Sequence, residues 1–374
     1  MSLITKKEKS IDTFFLGIVI ALVVFGLIMF LSASFGVLAK DQAKFSGILF
    51  NQIALGLIGG SFAMWVAYKI PYEFWRKYAF YLFIAGIILI ALVFVPGLGF
   101  SHGGATRWLS FGPLSFQPVE FLKIAFIIYF SAWIAWIKPK ENIDHVKKIV
   151  IPFVILFGIV TAILVQQPDT KSLILLMSTG MVMMFVAKIP YKYIAGLMLI
   201  GVLVFSLVVA FKPYVRERVQ TFLDPSHDPR GASFQLNQAQ IAIGAGGVWG
   251  RGLGQGIQKF TYLPEPQGDS IFAVIGEELG FVGSFITILL YVLFALRGLR
   301  IASRSPDTFS RLLVTGLVII LTAQSFLNIA SISGLFPLTG VPLVFISHGG
   351  TSLLFALFSV GIILNISKRQ VSQN

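Results

Sequence analysis

The sequence predicts an all-α polytopic integral membrane protein of about ten transmembrane helices, and three observations predict it. Of 374 residues, 56 % are hydrophobic and 12 % charged, where a soluble globule has roughly half and a quarter. Apolar runs of about 17 to 25 residues recur along the whole chain, each long enough to cross a hydrocarbon core of roughly 30 Å as a helix. The cations also alternate from one connection to the next, as they do when successive connections lie on opposite sides of a bilayer.

The first run, 13–34, follows a polar basic stretch and lacks a small-residue cleavage site, so it reads as a retained helix and not as a signal peptide. Further spans are expected at 48–68, 78–95, 119–137, 149–165, 172–187, 191–211, 270–296, 309–332 and 343–366. They form one membrane domain, 1–374, with tails at 1–12 and 367–374. One set of short connections collects Lys69, Arg76, Lys77, Lys147, Lys148, Lys188, Arg297, Arg300 and Arg311, while the opposite set holds Lys40, Lys44, Arg107 and Lys171. Because cation-rich short loops stay in the cytoplasm, both termini are expected there.

The net charge of +13 is thus mainly a topological signal, with an added attraction for anionic lipid headgroups, and is no argument for nucleic-acid binding. The chain has no cysteine, which removes disulfides, thiolate nucleophiles and cysteine metal sites.

Two outward connections are long, 96–118 and 212–269. The second contains GASFQLNQAQIAIGAGGVWGRGLGQG, too polar and glycine-rich to span but with an apolar side. An amphipathic or re-entrant segment is expected there. The chain has no Walker loop, and GAGGVWGRG does not lie between a strand and a helix, so its glycines read as turn formers.

The candidate chemistry lies at the outer ends of the spans. Asp269 stands at the mouth of the eighth helix. It can be a catalytic carboxylate, a helix N-cap, or both. Glu120 and Lys123 are three apart and share one helix face, where ionisable groups must pair or face a wet cavity. A purely structural lock between helices is the competing role. Asp169 is either a cavity carboxylate or a cap, and Arg107 beside Trp108 either a site cation or an interfacial anchor. The four histidines, His102, His145, His227 and His348, have no ligand spacing, so no metal site or built-in cofactor is expected. Room remains for a divalent cation carried by a diphosphate substrate, since magnesium often binds phosphate oxygens with one or two protein carboxylates.

An outward polar cavity has no supply of ATP, so an enzyme there needs a substrate that arrives already activated, such as a sugar on a polyprenyl diphosphate. Cations would hold the leaving diphosphate and a carboxylate would take the proton of the attacking hydroxyl.

The stretches TRWLSFGPLSFQPVEFLK, QQPDTKS, the run from FLDPSHDPRGASFQ to DSIFAVIGEELGFVG, and GLFPLTGVPLVFISHGGTSLL resemble, in order and spacing, the SEDS family of peptidoglycan polymerases. The resemblance spans nearly the whole chain and lies nearer the division and sporulation branches than the elongation branch. It implies an inverting transfer in which the 4-hydroxyl of lipid II attacks an undecaprenyl-diphosphate-linked glycan and undecaprenyl diphosphate is released. It places Asp269 as general base, and Glu120, Lys123 and Asp169, with Arg107, Gln117 and Ser347, around the substrate. It further implies a class B penicillin-binding protein and other divisome proteins as partners. The alternative is a flippase that moves the lipid-linked precursor through the same charged cavity, and a third reading is a scaffold. Val119, Lys171, Ser233, Phe234 and Val344 depart from the family pattern, and Lys171 stands where a glycine is usual.

Overall fold

The protein, seen as a computed structural model, is described at residues 10–102, 105–111, 114–137, 146–224 and 232–369. The two tails lie partly, and His145 and His227 wholly, outside the described residues. Among the described residues nine helices are long and apolar enough to cross a membrane. They are α1 (Thr13–Leu38), α2 (Gln42–Lys69), α3 (Tyr72–Phe94), α4 (Pro118–Ile137), α5 (Val146–Gln166), α7 (Tyr191–Phe211), α10 (Ile271–Ser303), α11 (Thr308–Ile332) and α12 (Gly350–Ser367). Helix α6 (Thr170–Val186), with 17 residues, is the tenth apolar helix and matches the expected sixth span. Two shorter helices, α8 (Pro213–Leu223) and α9 (Ala232–Ala245), lie in the long connection.

The helices sort into a centre and a rim. In α4, α11 and α12 the enclosed share of the apolar stretch is 72, 78 and 78 %, against 6 % in α7. Helix α11 packs on α10, α4 and α6, whereas α7 presents Met198, Leu199, Val202 and Leu203 outward, as a lipid-facing helix does. Lipid supplies no hydrophobic drive between spans, so close approach has to come from small residues. Gly316 of α11 meets Ile127 of α4 and Met183 of α6, and Gly298 of α10 meets Val318.

Several boundaries differ from the expected ones. Asp41 accepts from the Lys44 amide and starts α2 six residues before the apolar run. Helix α3 starts at Tyr72 because Pro71 precedes it, and α10 runs on to Ser303. The connection 96–118 is not a plain loop: β1 (Gly99–His102), β2 (Ala105–Phe111) and β3 (Leu114–Phe116) form an antiparallel sheet in the order β1-β2-β3. Asn51 Nδ2 donates to Ser115 Oγ at 2.7 Å, and Thr351 Oγ1 donates to the Ser115 carbonyl at 3.1 Å, so the sheet is pinned to α2 and α12. The tenth span begins at Gly350 and not at 343, because 337–349 is extended and turned backbone. Pro337 and Pro342 withhold amide donors there, and Gly340 and Phe345 take positive φ of 65° and 68°.

The long connection, where an amphipathic or re-entrant segment is expected, turns back against α10. Helix α9 buries Ser233, Leu236, Ala239 and Ala242 on one face against α10, and its C-terminal turn reaches the level of Gly280. That is about 14 Å along α10 from its start, at 1.5 Å per residue. There the two backbones exchange partners. The Phe281 and Val282 amides donate to the carbonyls of Gly247 (2.9 Å) and Val248 (3.2 Å), and the Arg251 and Gly252 amides donate to those of Glu277 (3.0 Å) and Glu278 (2.9 Å). Those two carbonyls and two amides would otherwise bond each other within α10, so the kink leaves none of them unpaired. Gly280 makes it possible, at φ 66° and ψ −158°, a conformation open essentially to glycine alone.

Two buried glutamates fasten the returning strand. Glu278 pairs with Lys259 at 2.5 Å and accepts from Ser32 of α1 and from the Gly254 amide. Glu277 accepts from the Ile257 amide at 2.9 Å and lies 3.5 Å from the Arg251 guanidinium.

Candidate active site

Asp269 lies immediately before α10, outside the spanning segment. It is not the N-cap, since Ser270 holds that place and makes no side-chain capping bond. Its Oδ1 instead accepts from Gln235 Nε2 of α9 at 3.1 Å, and its Oδ2 faces Gly340. Burial pushes the carboxyl above the usual carboxylate range, Lys171 and the Gln235 bond pull it back, and Glu265 adds a smaller upward push. Of the two roles open to this residue, its geometry leaves the carboxylate facing the site.

A four-residue strap runs past it. The carbonyls of Thr339, Gly340, Val341 and Pro342 each accept from a side chain: Arg218 (3.1 Å), Lys171 (2.5 Å), Asn328 (2.7 Å) and Gln324 (3.3 Å). These donors come from α8, α6 and α11, so the strap takes its shape from three helices and not from its own hydrogen bonding. Asn328 Nδ2 also donates to the Asp269 carbonyl at 2.7 Å.

Across the strap lies a small cleft lined by Gln117, Glu120, Lys123, Lys171, Ser172 and Gln324 with Val341 and Pro342. Glu120 and Lys123 pair at 2.9 Å, as their i, i+3 spacing implies, and Lys123 Nζ also donates to Gln324 Oε1 at 2.8 Å. Both side chains are nearly fully enclosed, so each ion stabilises the other in a medium that would otherwise expel it. The pair thus both locks α4 to α11 and lines the cleft.

Asp169 is fully buried and caps α6, accepting from the Ser172 amide at 3.4 Å and hydroxyl at 2.9 Å. Arg107, on β2, donates to the carbonyls of Gln167 (3.1 Å) and Pro168, holding the turn that presents Asp169. Arg107 is therefore tied to protein carbonyls, which a simple headgroup anchor is not. Lys171 lies in the first turn of α6, not in a loop. It feels Asp169 and Asp269 as attractive charges and Arg107 and Arg218 as repulsive ones.

Ser347 does not join this group. Its hydroxyl accepts from the Leu343 amide at 2.8 Å and its carbonyl accepts from Gln52 Nε2 at 3.4 Å, a turn-forming role. The residues that sequence reasoning missed are Arg218, Gln235, Gln324 and Asn328. Gln324 and Asn328 carried a usable signal, being amides four apart on one face of an apolar span. Among the described residues no three His, Asp or Glu side chains converge so as to hold a metal ion.

With this geometry in place, comparison with known proteins is informative. The family model for FtsW, RodA and SpoVE, described as cell cycle protein, matches residues 12–372. A probable peptidoglycan glycosyltransferase FtsW of Geobacter sp. strain M18 is 36 % identical over 364 residues, covering 97 % of this chain and 98 % of that protein. Stage V sporulation protein E of Bacillus subtilis is 35 % identical over 374 residues, covering 97 % and 99 %. Among solved structures, a chain of a peptidoglycan synthase complex that coordinates polymerization and crosslinking superimposes with a TM-score of 0.78 at 28 % identity, covering 96 % and 97 %. The rod shape determining protein RodA of Thermus thermophilus gives 0.70 at 24 % identity, covering 97 % and 98 %, and shares the fold.

Proposed function

The chain belongs to the cell cycle protein family of FtsW, RodA and SpoVE, and from that premise we propose that it is a peptidoglycan glycosyltransferase that polymerises lipid II, in septal wall synthesis during division. The observation that carries the reading is Asp269, a carboxylate kept basic by burial, with Lys171 and Arg218 facing it across Gly340. A base and fixed cations on one side of a membrane protein are what transfer from a diphosphate donor requires.

In the step, the lipid II 4-hydroxyl gives its proton to Asp269 while its oxygen bonds the anomeric carbon of the glycan. The bond from that carbon to the diphosphate oxygen breaks, and its electron pair leaves with undecaprenyl diphosphate. Attack from the face opposite the leaving group inverts the anomeric carbon. Lys171, Arg218 and Arg107 offset the charge that develops on the diphosphate. Gln235 orients the carboxylate through its 3.1 Å bond. Glu120, Lys123 and Gln117 form the inner wall, and Asp169 shapes the turn that presents Lys171.

The distribution of cations supports a multi-pass inner-membrane protein with both termini in the cytoplasm and this site on the outer face. Likeness to a chain of a peptidoglycan synthase complex supports a class B penicillin-binding protein as partner, which would supply the crosslinking.

The test is polymerisation of labelled lipid II by the purified chain with a cognate penicillin-binding protein that lacks glycosyltransferase activity. Polymer from the native chain and none from folded Asp269→Ala supports the reading. No polymer from either, with precursor crossing liposome membranes, would make this a flippase.

A further inference from the structure

The turn that carries Asp269 is held to the 337–349 segment at two points. At one, Asn328 joins the Asp269 and Val341 carbonyls. At the other, the His348 amide donates to the Gln267 carbonyl at 2.7 Å, two residues before the carboxylate. The Gly268 and Ser270 amides both donate to the Glu265 carbonyl, at 2.9 and 3.4 Å, so 265–270 is a closed turn and a displacement of Gln267 carries Asp269 with it.

His348 is itself fixed from α2. Gln52 Nε2 donates to the Ser347 carbonyl at 3.4 Å, and Gln52 Oε1 accepts from the Gly349 amide at 2.9 Å, so one side chain brackets His348 on both sides. Gln52 is 1 % exposed. A buried amide in a spanning helix is costly unless it is hydrogen-bonded, and here its donor and its acceptor both serve one three-residue stretch. The helix is shaped for the contact. It is π-helical over Asn51–Gly59, a wide form that is rare and concentrated at functional sites. A Cβ at Gly60 would lie 2.8 Å from Leu357, and one at Gly350 would lie 2.6 Å from the Asn51 carbonyl, so small residues bring α2 and α12 close enough for a glutamine to reach.

We propose that Gln52 is a positioning residue for the transfer step: from α2 it sets the place of Asp269, through Ser347–Gly349 and the Gln267 carbonyl, without touching substrate. The proposal rests on the glycosyltransferase reading for its reaction. The competing role is a lock between α2 and α12, which serves stability and leaves Asp269 where it is.

The experiment compares the native full chain in nanodiscs with Gln52→Met, which keeps the length and loses both bonds, and Gln52→Asn, which keeps an amide one methylene short. Hydrogen exchange is read over 263–270 and 343–350, and lipid II polymerisation with the penicillin-binding protein is followed against pH. In folded Gln52→Met, exchange should quicken by about tenfold in both stretches, the loss of a buried bond at each. Its kcat should fall by about 100-fold with KM within about threefold of native, because a misplaced base is felt in the transition state and not in binding. Burial is the largest influence on the Asp269 carboxyl, ahead of Lys171, Gln235, Glu265 and Arg218, so a turn that loosens into water should move the acid limb to lower pH. A lock that only lowers the folded fraction reduces the rate and leaves the limb in place. Gln52→Asn should fall between native and Gln52→Met. Folded Gln52→Met with quicker exchange at 343–350 alone, or with native kcat and a native limb, overturns the proposal, and so does loss of fold in both variants. A native chain that makes no polymer, while exchange in Gln52→Met quickens in both stretches, would sink the glycosyltransferase reading and leave the linkage from Gln52 to Asp269 standing.

Discussion

Asn328 holds Asp269 by its backbone: the same Nδ2 donates to the Asp269 carbonyl and to the Val341 carbonyl, each at 2.7 Å. One amide of α11 thus fixes the distance between the residue before α10 and the middle of the strap. Asn328→Leu fills the space but removes both bonds and strands two carbonyls, at a cost of about 1–3 kcal/mol for each one left unsatisfied. The expected result is a folded protein with a lower melting temperature and a kcat reduced by roughly 100-fold, since misplacing a reacting group by about 1 Å costs that much. Lipid II polymerisation and thermal unfolding in nanodiscs measure the two effects. Unchanged kcat in a destabilised Asn328→Leu would confine Asn328 to folding.

Asp269 sets the pH dependence. Burial raises its carboxyl, so the base form is lost at a higher pH than for an ordinary carboxylate. Polymerisation needs the base form, so kcat/KM should fall as pH drops through a midpoint above the usual carboxylate range. Lys171 and Gln235 both pull the carboxyl down, so Lys171→Met and Gln235→Leu should each move that limb to higher pH. Glu265 pushes it up, and Glu265→Gln should move the limb the other way. Asp269→Asn should lose about 10²- to 10⁴-fold at every pH, the range for removing a general base. A pH–rate profile of the four variants decides the matter, and an acid limb that ignores all three neighbours would assign the titration to another group.

What the sequence revealed and what it hid follow from how far each interaction reaches along the chain. The spans were legible because a lipid-crossing helix needs only its own apolar residues, and the Glu120–Lys123 pair because three residues separate its members. Asp269 was legible through the motif that contains it. The strap was not. Val341, Leu343, Val344, Phe345 and Ile346 are as apolar as a span, and only Pro337, Pro342 and Gly340 hint that the backbone there is extended. Its partners, Arg218, Lys171, Gln324 and Asn328, come from elements up to 169 positions away, as Lys171 is from Gly340, and no local pattern links them. The bond of the Ser347 hydroxyl to the Leu343 amide, four residues back, was hidden for the same reason.

Lys259 and Glu278 should behave as one unit. Both side chains have no solvent exposure and their charges pair at 2.5 Å, with Ser32 and Gly254 completing the shell. Removing one partner leaves a buried charge uncompensated, at about 3–5 kcal/mol, whereas replacing both with apolar residues is often close to neutral. Lys259→Met and Glu278→Leu are each expected to lower the melting temperature strongly, and the double variant to recover most of the loss. Additive losses in the double variant would show that Ser32 and the Gly254 amide, and not the pair itself, hold the segment.

Gly280 is the hinge of the exchange between α10 and the re-entrant segment, and its replacement tests whether that exchange is obligatory. A Cβ at this position would collide with the Gly250 amide and the Val248 carbonyl, both backbone, and its φ of 66° with ψ of −158° lies where an L side chain is strained. Gly280→Ala has two ways out. The helix can keep the kink under strain of roughly 1–3 kcal/mol, or it can straighten, re-forming its own bonds from Phe281 and Val282 to Glu277 and Glu278 and expelling the segment. The second satisfies every α10 amide and relieves both contacts, so expulsion is the expected outcome. The chain has no cysteine, so a single Val248→Cys reports it without background. In intact membranes this thiol, about 14 Å along α10 from the outer end, should resist a membrane-impermeant maleimide, and adding Gly280→Ala should make it reactive. Equal protection in both would mean that Lys259 and Glu277, which grip the returning strand, hold the segment down without the exchange.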